Sequence, residues 1–232
     1  MSGQTNQDEL KKKAAETAVE KYVKNGMVVG LGTGSTTVFA IRKIGELVAS
    51  GWDITGIPTS VASENLAESL GIRLSILEEH PSVDVTIDGA DEVDPELNLI
   101  KGMGGALLRE KIVAESTKKE IIIVDESKLV KKLGTKSPLP VEVVQYGAER
   151  CRRLIEKLGC TPEFRKKDGK RYVSDNGNYI FDCRFNGIDD PRKLDRGLCG
   201  ITGVVENGMF LGLTHAVLVA SPDGVKTIGP KQ

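Results

Sequence analysis

The sequence predicts an α/β protein: a Rossmann-like parallel-sheet main domain with a small ferredoxin-like α+β domain inserted near its C-terminus. Three observations carry this. Short apolar runs alternate with segments of helical period up to residue 124, the pattern of a parallel sheet covered on both faces. Ile121-Ile122-Ile123-Val124 is a continuous apolar run of the kind that buried central strands show. After Pro138-Leu139-Pro140 the order becomes β-α-β-β-α-β, the ferredoxin-like unit.

Each element has its own signal. Residues 7–24 place Leu10, Ala14, Ala18 and Tyr22 at helical spacing, and Asn25-Gly26 stops that helix. Met27 to Leu31 reads as a buried strand, followed by a helix with Val38, Ile41, Ile44 and Val48 on one face. Ile54 to Ile57 is the second strand, and Val61 to Leu70 a helix that ends at Gly71. Ile72, Leu74 and Ile76 alternate as a third strand, and Val83, Val85 and Ile87 as a fourth. Leu107 to Ser116 is helical. Beyond the Pro-Leu-Pro segment, read as a linker, Val141 to Val144 is a strand, Ala148 to Leu158 a helix and Thr161 to Arg165 a strand. Asp175-Asn176-Gly177-Asn178 is a turn signal ahead of the alternating Tyr179, Phe181, Cys183 and Phe185. Pro191 to Leu198 is a helix, and Ile201 to Val205 a strand. Leu211 to Leu213 and Ala216 to Ala220 are apolar enough to rejoin the first sheet. The expected domains are therefore 1–139 with 210–232, and an insert at 140–209 that covers a cleft or forms a subunit contact.

Composition narrows the class. The 232 residues are 39% hydrophobic and 28% charged, ordinary for a globular chain with a real core. Thirty-two basic against 33 acidic side chains leave a net charge of −1, which gives no footprint for nucleic acid or an anionic membrane surface. No apolar run approaches the ~20 residues that span a bilayer. The polar and then charged stretch at residues 1–13 matches neither a secretory signal nor a transit peptide, so a cytoplasmic protein is expected. Cys151, Cys160, Cys183 and Cys199 are far apart and suggest neither a disulfide frame nor a zinc site. His80 and His215 have no metal-ligand spacing, and they make a Ser-His-Asp hydrolase a poor fit.

Two segments carry chemistry. Gly30-Leu31-Gly32-Thr33-Gly34-Ser35-Thr36-Thr37 lies where the first strand hands over to a helix. Glycines there admit an anion to backbone N–H groups, the helix N-terminus adds partial positive charge, and the hydroxyls add donors. The bland alternative is a tight turn with Ser35 or Thr36 as N-cap. A dinucleotide is disfavoured. Its ribose-binding acid should end the second strand, which instead runs into Pro58-Thr59-Ser60, while Asp53 precedes that strand. No lysine follows Gly34 to make a triphosphate loop. A small phosphorylated metabolite fits.

The second segment is Asp88-Gly89-Ala90-Asp91-Glu92, followed by Lys101-Gly102-Met103-Gly104-Gly105 and Arg109-Glu110-Lys111. The fourth strand delivers Asp88 and Asp91 to the carboxyl edge of the sheet, where open α/β folds bind ligands. Glycines around Lys101 let a substrate meet bare backbone. Glu110 falls in the first turns of a helix, where the dipole favours a carboxylate. Acids and a lysine so collected can move protons beside a developing negative charge. Taken singly, the Arg-Glu-Lys triplet could be an exposed charged face and Asp88-Gly89 a turn.

These residues, with Pro138-Leu139-Pro140-Val141-Glu142-Val143 and Asp223-Gly224-Val225-Lys226-Thr227-Ile228, resemble the type A ribose-5-phosphate isomerase family nearly end to end. One departure is Met103, at a place that is often glycine in the family pattern. The resemblance implies interconversion of D-ribose 5-phosphate and D-ribulose 5-phosphate through a cis-enediolate, in the non-oxidative pentose phosphate pathway. It implies that Glu110 moves the proton between C2 and C1 and that Lys101 stabilises the oxyanion. Asp88 assists ring opening and shuttles protons between oxygens, and Asp91 binds hydroxyls and orients Lys101. Substrate is then held by Thr33, Gly34, Ser35 and Thr36, by Asp88, Gly89, Ala90 and Asp91, by Lys101, Gly102, Met103 and Gly104, and by Lys128. Lys11 is a weaker candidate, because Lys11-Lys12-Lys13 is most simply a solvated face. No cofactor and no metal are expected, the partner is a small phosphorylated sugar, and a homodimer or homotetramer is implied. The competing readings are a sugar-phosphate lactonase or amino-sugar-phosphate deaminase of similar architecture, and a sugar-phosphate sensor. A deaminase would be expected to use a histidine in its active site. A sensor would need a DNA-reading segment, and no helix-turn-helix precedes the sheet.

Overall fold

The computed structural model describes residues 2–229, with side chains from residue 8 onward. The expected domain limits at Met1 and Gln232 lie outside the described residues. In chain order the elements are α1 (Ser2–Tyr22), β1 (Val28–Leu31), α2 (Thr37–Ala49), β2 (Thr55–Pro58), α3 (Val61–Ser69), β3 (Arg73–Leu74), β4 (Val85–Asp88), β5 (Glu92–Val93), β6 (Leu99–Ile100), α4 (Leu107–Glu115) and β7 (Glu120–Asp125). After a 3₁₀ turn at Glu126–Lys128 come β8 (Leu139–Val143), α5 (Ala148–Glu156), β9 (Thr161–Phe164), β10 (Lys166–Lys167), β11 (Lys170–Arg171), β12 (Tyr179–Arg184), α6 (Pro191–Cys199), β13 (Val204–Asn207), β14 (Met209–Phe210), β15 (Thr214–Ser221) and β16 (Gly224–Ile228).

The chain divides into two compact units, one of Met1–Ala90, Arg109–Leu129 and Leu213–Gln232, the other of Asp91–Leu108 and Val130–Gly212. The first unit carries a seven-stranded sheet in the order β16-β15-β7-β4-β1-β2-β3. Every neighbouring pair in it is parallel except β15 with β16. The tail thus rejoins the sheet beside β7, as its apolar character predicts. All six residues of β7 are buried. Each of Ile121, Ile122 and Ile123 contributes roughly 1.5–3 kcal/mol through removal from water. Helix α1 lays Ala14, Ala15, Ala18 and Val19 into the same core, where small side chains let the helix approach the strands closely. Lys11 of this helix is largely covered, at 16% exposure, and pairs with Asp8 at 3.6 Å, so it is not part of a solvated face. Helix α3 starts on a capping box, with the Ser60 hydroxyl accepting from Ser63 N and the Ser63 hydroxyl taking the Ser60 N–H.

The second unit has a four-stranded antiparallel sheet in the order β13-β8-β12-β9, with α5 and α6 completing the β-α-β-β-α-β succession. Numbered from β8, that order is 4-1-3-2, the ferredoxin-like arrangement. Its core gathers Leu139, Val141, Val143, Phe181, Ile155 and Leu198 with the buried thiols Cys151, Cys160 and Cys183. Cys199 is exposed, and all four cysteines are free thiols. A second, three-stranded sheet runs β14-β6-β5.

That small sheet explains why the units divide elsewhere than at the expected limits of 1–139, 140–209 and 210–232. Leu99 and Ile100 pair with Glu92 and Val93 on one side and with Met209 and Phe210 on the other, tying residues 91–108 to the second unit. Pro138-Leu139-Pro140 is also no linker. Leu139 and Pro140 open β8, where proline's fixed φ suits an extended chain. The Pro140 carbonyl accepts from Gly208 N at 2.8 Å. The third strand is shorter than its alternation suggests, because the chain turns at Ile76, whose carbonyl accepts from Glu79 and His80 N–H.

Candidate active site

In the first unit the chain runs from β1 outward to β2 and β3, then returns to β4 on the other side of β1. Open α/β sheets bind ligands beyond the carboxyl ends of such a switch pair. The glycine-rich loop follows β1, and Asp88 closes β4.

The loop's glycines have different duties. A Cβ on Gly30 would sit 1.9 Å from Thr86 Oγ1, and one on Gly32 would sit 2.4 Å from Asp88 Oδ1 and 2.6 Å from the Ile87 carbonyl oxygen. Both residues are glycine so that β1 and its exit can lie against β4, a packing demand the sequence does not distinguish from anion binding. Gly34 is different: nothing would meet its Cβ, but its φ of +131° is a conformation that other residues rarely adopt. Thr36 occupies the N-cap of α2 without a side-chain cap bond, and Ser35 is exposed. The Thr36 hydroxyl is therefore not acting as a cap. Thr37 turns its hydroxyl back to the Gly34 carbonyl at 2.8 Å.

Asp88 is 1% exposed, and its Oδ1 accepts from Gly89 N at 2.7 Å and Thr33 N at 3.1 Å. Two backbone donors fix this carboxyl and lock the loop to the end of β4. Thr33 is pinned again through its hydroxyl, which lies 2.7 Å from Thr59 Oγ1 and donates to Ser60 Oγ at 2.8 Å. Thr59 and Ser60 stand at the carboxyl end of β2. Gly89 and Ala90 are half-buried.

Glu110 lies in the first turn of α4 and is 4% exposed, and Lys111 beside it is buried too. A solvated charged face does not describe this triplet. Lys128 is half-buried at the end of the 3₁₀ turn that Asp125 caps by accepting from Ser127 N at 2.9 Å.

In the second unit Asp91 donates its N–H to the Ile100 carbonyl (2.8 Å) and accepts from Met103 N through Oδ2 (3.0 Å). The Met103 backbone is what the turn uses, and the side chain is exposed. Lys101 is among the largest fully buried side chains of the protein. Its N–H goes to the Gly208 carbonyl at 2.8 Å, and its Nζ lies 5.3 Å from the centre of the Phe210 ring. Gly102 turns the chain with φ +102°. Gly104 is exposed.

Two residues outside the sequence-derived set, Arg165 and Asp182, hold this turn, and Glu92 anchors a neighbouring loop. Arg165 donates through Nη1 to the carbonyls of Gly102 (2.7 Å) and Met103 (3.2 Å). Its other nitrogens grip Asp182, Nε to Oδ2 at 3.1 Å and Nη2 to Oδ1 at 2.5 Å. Glu92 is wholly buried and accepts from three backbone N–H groups, those of Gly134, Lys136 and Ser137, each at 2.6 Å. The third acid of the Asp-Gly-Ala-Asp-Glu run is thus an anchor for the 134–137 loop. Only the alternation of β12 hints at Asp182, and nothing in sequence pairs it with Arg165.

Asp195, Cys199 and Glu206 form the group of metal-ligand type found among the described residues, with ligand atoms within 4.8 Å of one another. Asn207 already serves it, donating Nδ2 to Asp195 Oδ1 at 2.8 Å and its N–H to Glu206 Oε1 at 2.7 Å.

A parallel sheet with acids and hydroxyls at its switch point, in a chain that also buries a lysine on a glycine turn, has the parts of a sugar-phosphate enzyme of the proton-transfer kind. The family model described as ribose 5-phosphate isomerase A (phosphoriboisomerase A) matches residues 55–224. A protein of Desulfatibacillum aliphaticivorans named ribose-5-phosphate isomerase A is 56% identical over 225 residues, covering 96% of this chain and 97% of its own. The solved ribose 5-phosphate isomerase from Plasmodium falciparum is 44% identical, with TM-score 0.92, over 97% of this chain and 100% of that one. A D-ribose-5-phosphate isomerase structure in complex with phospho-erythronic acid is 41% identical, with TM-score 0.93, over 97% and 99%. The chain belongs to the ribose 5-phosphate isomerase A family.

Proposed function

We propose that this protein interconverts D-ribose 5-phosphate and D-ribulose 5-phosphate through a cis-enediolate, with Glu110 as the acid–base. The Glu110 carboxylate takes the C2 proton as the C1 carbonyl oxygen gains charge. The O2 proton passes to O1 by way of Asp88. Glu110 then returns its proton to C1 as the C2 carbonyl forms. One carboxylate can serve both carbons from a single position, because they are bonded neighbours. Lys101 stabilises the developing oxyanion, and burial strengthens its field relative to that of a lysine in water.

Asp91 orders the Lys101–Gly104 turn through the Met103 N–H and meets substrate hydroxyls. The loop at Gly34–Thr36 and Lys128 supply positive potential for the phosphate. The observation that carries the residue assignment is Glu110 itself, a carboxylate withdrawn from solvent in the first turn of a helix. Homodimeric or homotetrameric assembly and a cytoplasmic location belong to the same reading, supported by the family resemblance. The test is isomerisation of ribose 5-phosphate by the purified chain in excess EDTA. Turnover is expected, and its absence would remove the assignment.

A further inference from the structure

The hydroxyl of Thr33 is held in a cluster whose protons can be counted. Thr59 Oγ1 donates to the Leu31 carbonyl at 2.9 Å, and Ser63 Oγ donates to the Ser60 carbonyl at 3.0 Å. Ser60 Oγ accepts from Ser63 N at 3.1 Å and, with the Ser63 proton spent, donates its own to Ser63 Oγ, also at 3.1 Å. Thr33 has one hydroxyl proton, and it is directed to Ser60 Oγ at 2.8 Å, with Thr59 Oγ1 on its other side at 2.7 Å. Thr59, Ser60 and Ser63 are all buried, whereas Thr33 is half-buried beside Asp88. A threonine hydroxyl carries one proton and two lone pairs. With the proton committed to the wall, what remains for a ligand is a lone pair.

A phosphate dianion offers only acceptor oxygens, so a hydroxyl in this state cannot bond it. A sugar hydroxyl can donate to it. We propose that Thr33 meets the substrate as a hydrogen-bond acceptor for a sugar hydroxyl, with Thr59 and Ser60 as positioning residues that fix the direction of its proton. This rests on the isomerase reading above and divides the loop by task. Gly34, Ser35 and Thr36 serve the anion, while Thr33 reads the polyol. A deoxy sugar phosphate at that position would leave the Thr33 lone pair facing no donor, and the enzyme would discriminate against it.

The probes are inorganic phosphate and the unreactive polyol ribitol 5-phosphate, each measured as a competitive inhibitor and by calorimetry on the full chain. Thr33→Val keeps the side-chain shape and removes the oxygen. It is expected to weaken ribitol 5-phosphate by roughly 3- to 10-fold, the usual worth of one hydrogen bond, and to change phosphate by less than about 2-fold. Thr33→Ser restores the polyol affinity. The double variant Thr59→Val/Ser60→Ala, which removes both wall acceptors of the Thr33 proton, is expected to weaken the polyol while leaving phosphate binding no weaker, a pattern that mere loosening of α3 would not give. Equal weakening of both probes by Thr33→Val would make Thr33 a phosphate donor and overturn the proposal. So would unchanged polyol binding. Should Thr33→Val not fold, the Thr59→Val/Ser60→Ala pattern decides alone. A wild-type chain that neither isomerises ribose 5-phosphate nor binds ribitol 5-phosphate would instead remove the isomerase reading, and this one with it.

Discussion

Gly32→Ala is the substitution that best separates packing from conformation at this site. Gly32 has no unusual φ, so alanine is conformationally acceptable there, and the whole effect is steric. Its Cβ would lie 2.6 Å from the Ile87 carbonyl oxygen, a backbone atom that no rotamer change can move, and 2.5 Å from Asp88 Cγ. That is roughly 0.8 Å short of an ordinary contact, so β1's exit must shift from β4 by about that amount. The Thr33 N to Asp88 Oδ1 bond, already 3.1 Å, would be lost in the shift. Overpacking of this kind costs about 1–3 kcal/mol of stability. Misplacing a reacting group by about 1 Å costs up to ~10²-fold in rate. We therefore expect urea denaturation to show a loss of about 1–3 kcal/mol and kcat/KM for ribose 5-phosphate to fall by roughly 10- to 100-fold. Gly26→Ala is the control. There the φ is +84° with nothing near the Cβ, so stability falls by about 1 kcal/mol and kcat/KM is unchanged. Wild-type stability and activity in Gly32→Ala would refute the steric account of the loop.

Two further outcomes follow from the structure. Arg165→Lys keeps the charge but loses the fork that spans Asp182 and the Gly102 and Met103 carbonyls, so kcat should drop about 10-fold through a looser Lys101 turn. An unchanged steady-state kcat would show that the clamp has no such role. Asp84 accepts from Lys118 Nζ and Val28 N, and the Lys118 bond above all holds its carboxyl below the ordinary value of 3.8. A depressed carboxyl stabilises the fold above the unfolded value and loses that contribution as pH falls through the folded one. Asp84→Asn should therefore cost about 0.5–1 kcal/mol at pH 7, because the pair is partly exposed, and the deficit should shrink as pH falls below 3.8 through the depressed folded value. A pH-independent deficit in urea titrations would contradict the linkage.

Much of this molecule is legible in its sequence, for identifiable reasons. Helices such as α2 are long enough to display a period, and the all-buried strand β7 shows a continuous apolar run. The parallel sheet follows from the alternation of elements, and the acids at the carboxyl end of β4 follow from its polarity, while the strand order is seen only in the structure. What sequence misses is short or three-dimensional. Two residues in β5, β6 or β14 cannot show alternation, and those strands set the boundary between the units. The β10–β11 hairpin has its signal in Asp168-Gly169, both with positive φ, although the charged flanks Lys166-Lys167 and Lys170-Arg171 disguise it as a loop. Pro140 reads as a linker because proline is rare inside strands. The Arg165–Asp182 clamp and the hydroxyl cluster at Thr33 join positions 17 to 63 residues apart, and no local pattern announces them.

The most direct measurement is the isomerisation of ribose 5-phosphate by Glu110→Gln beside the wild type, with ribitol 5-phosphate affinity measured on both. Glutamine keeps the shape of the buried side chain and removes its basicity. The account predicts a kcat lower by at least ~10²-fold with polyol phosphate binding retained. A variant that turns over ribose 5-phosphate at the wild-type rate would show that another group moves the C2 proton, and the proposed mechanism would fall.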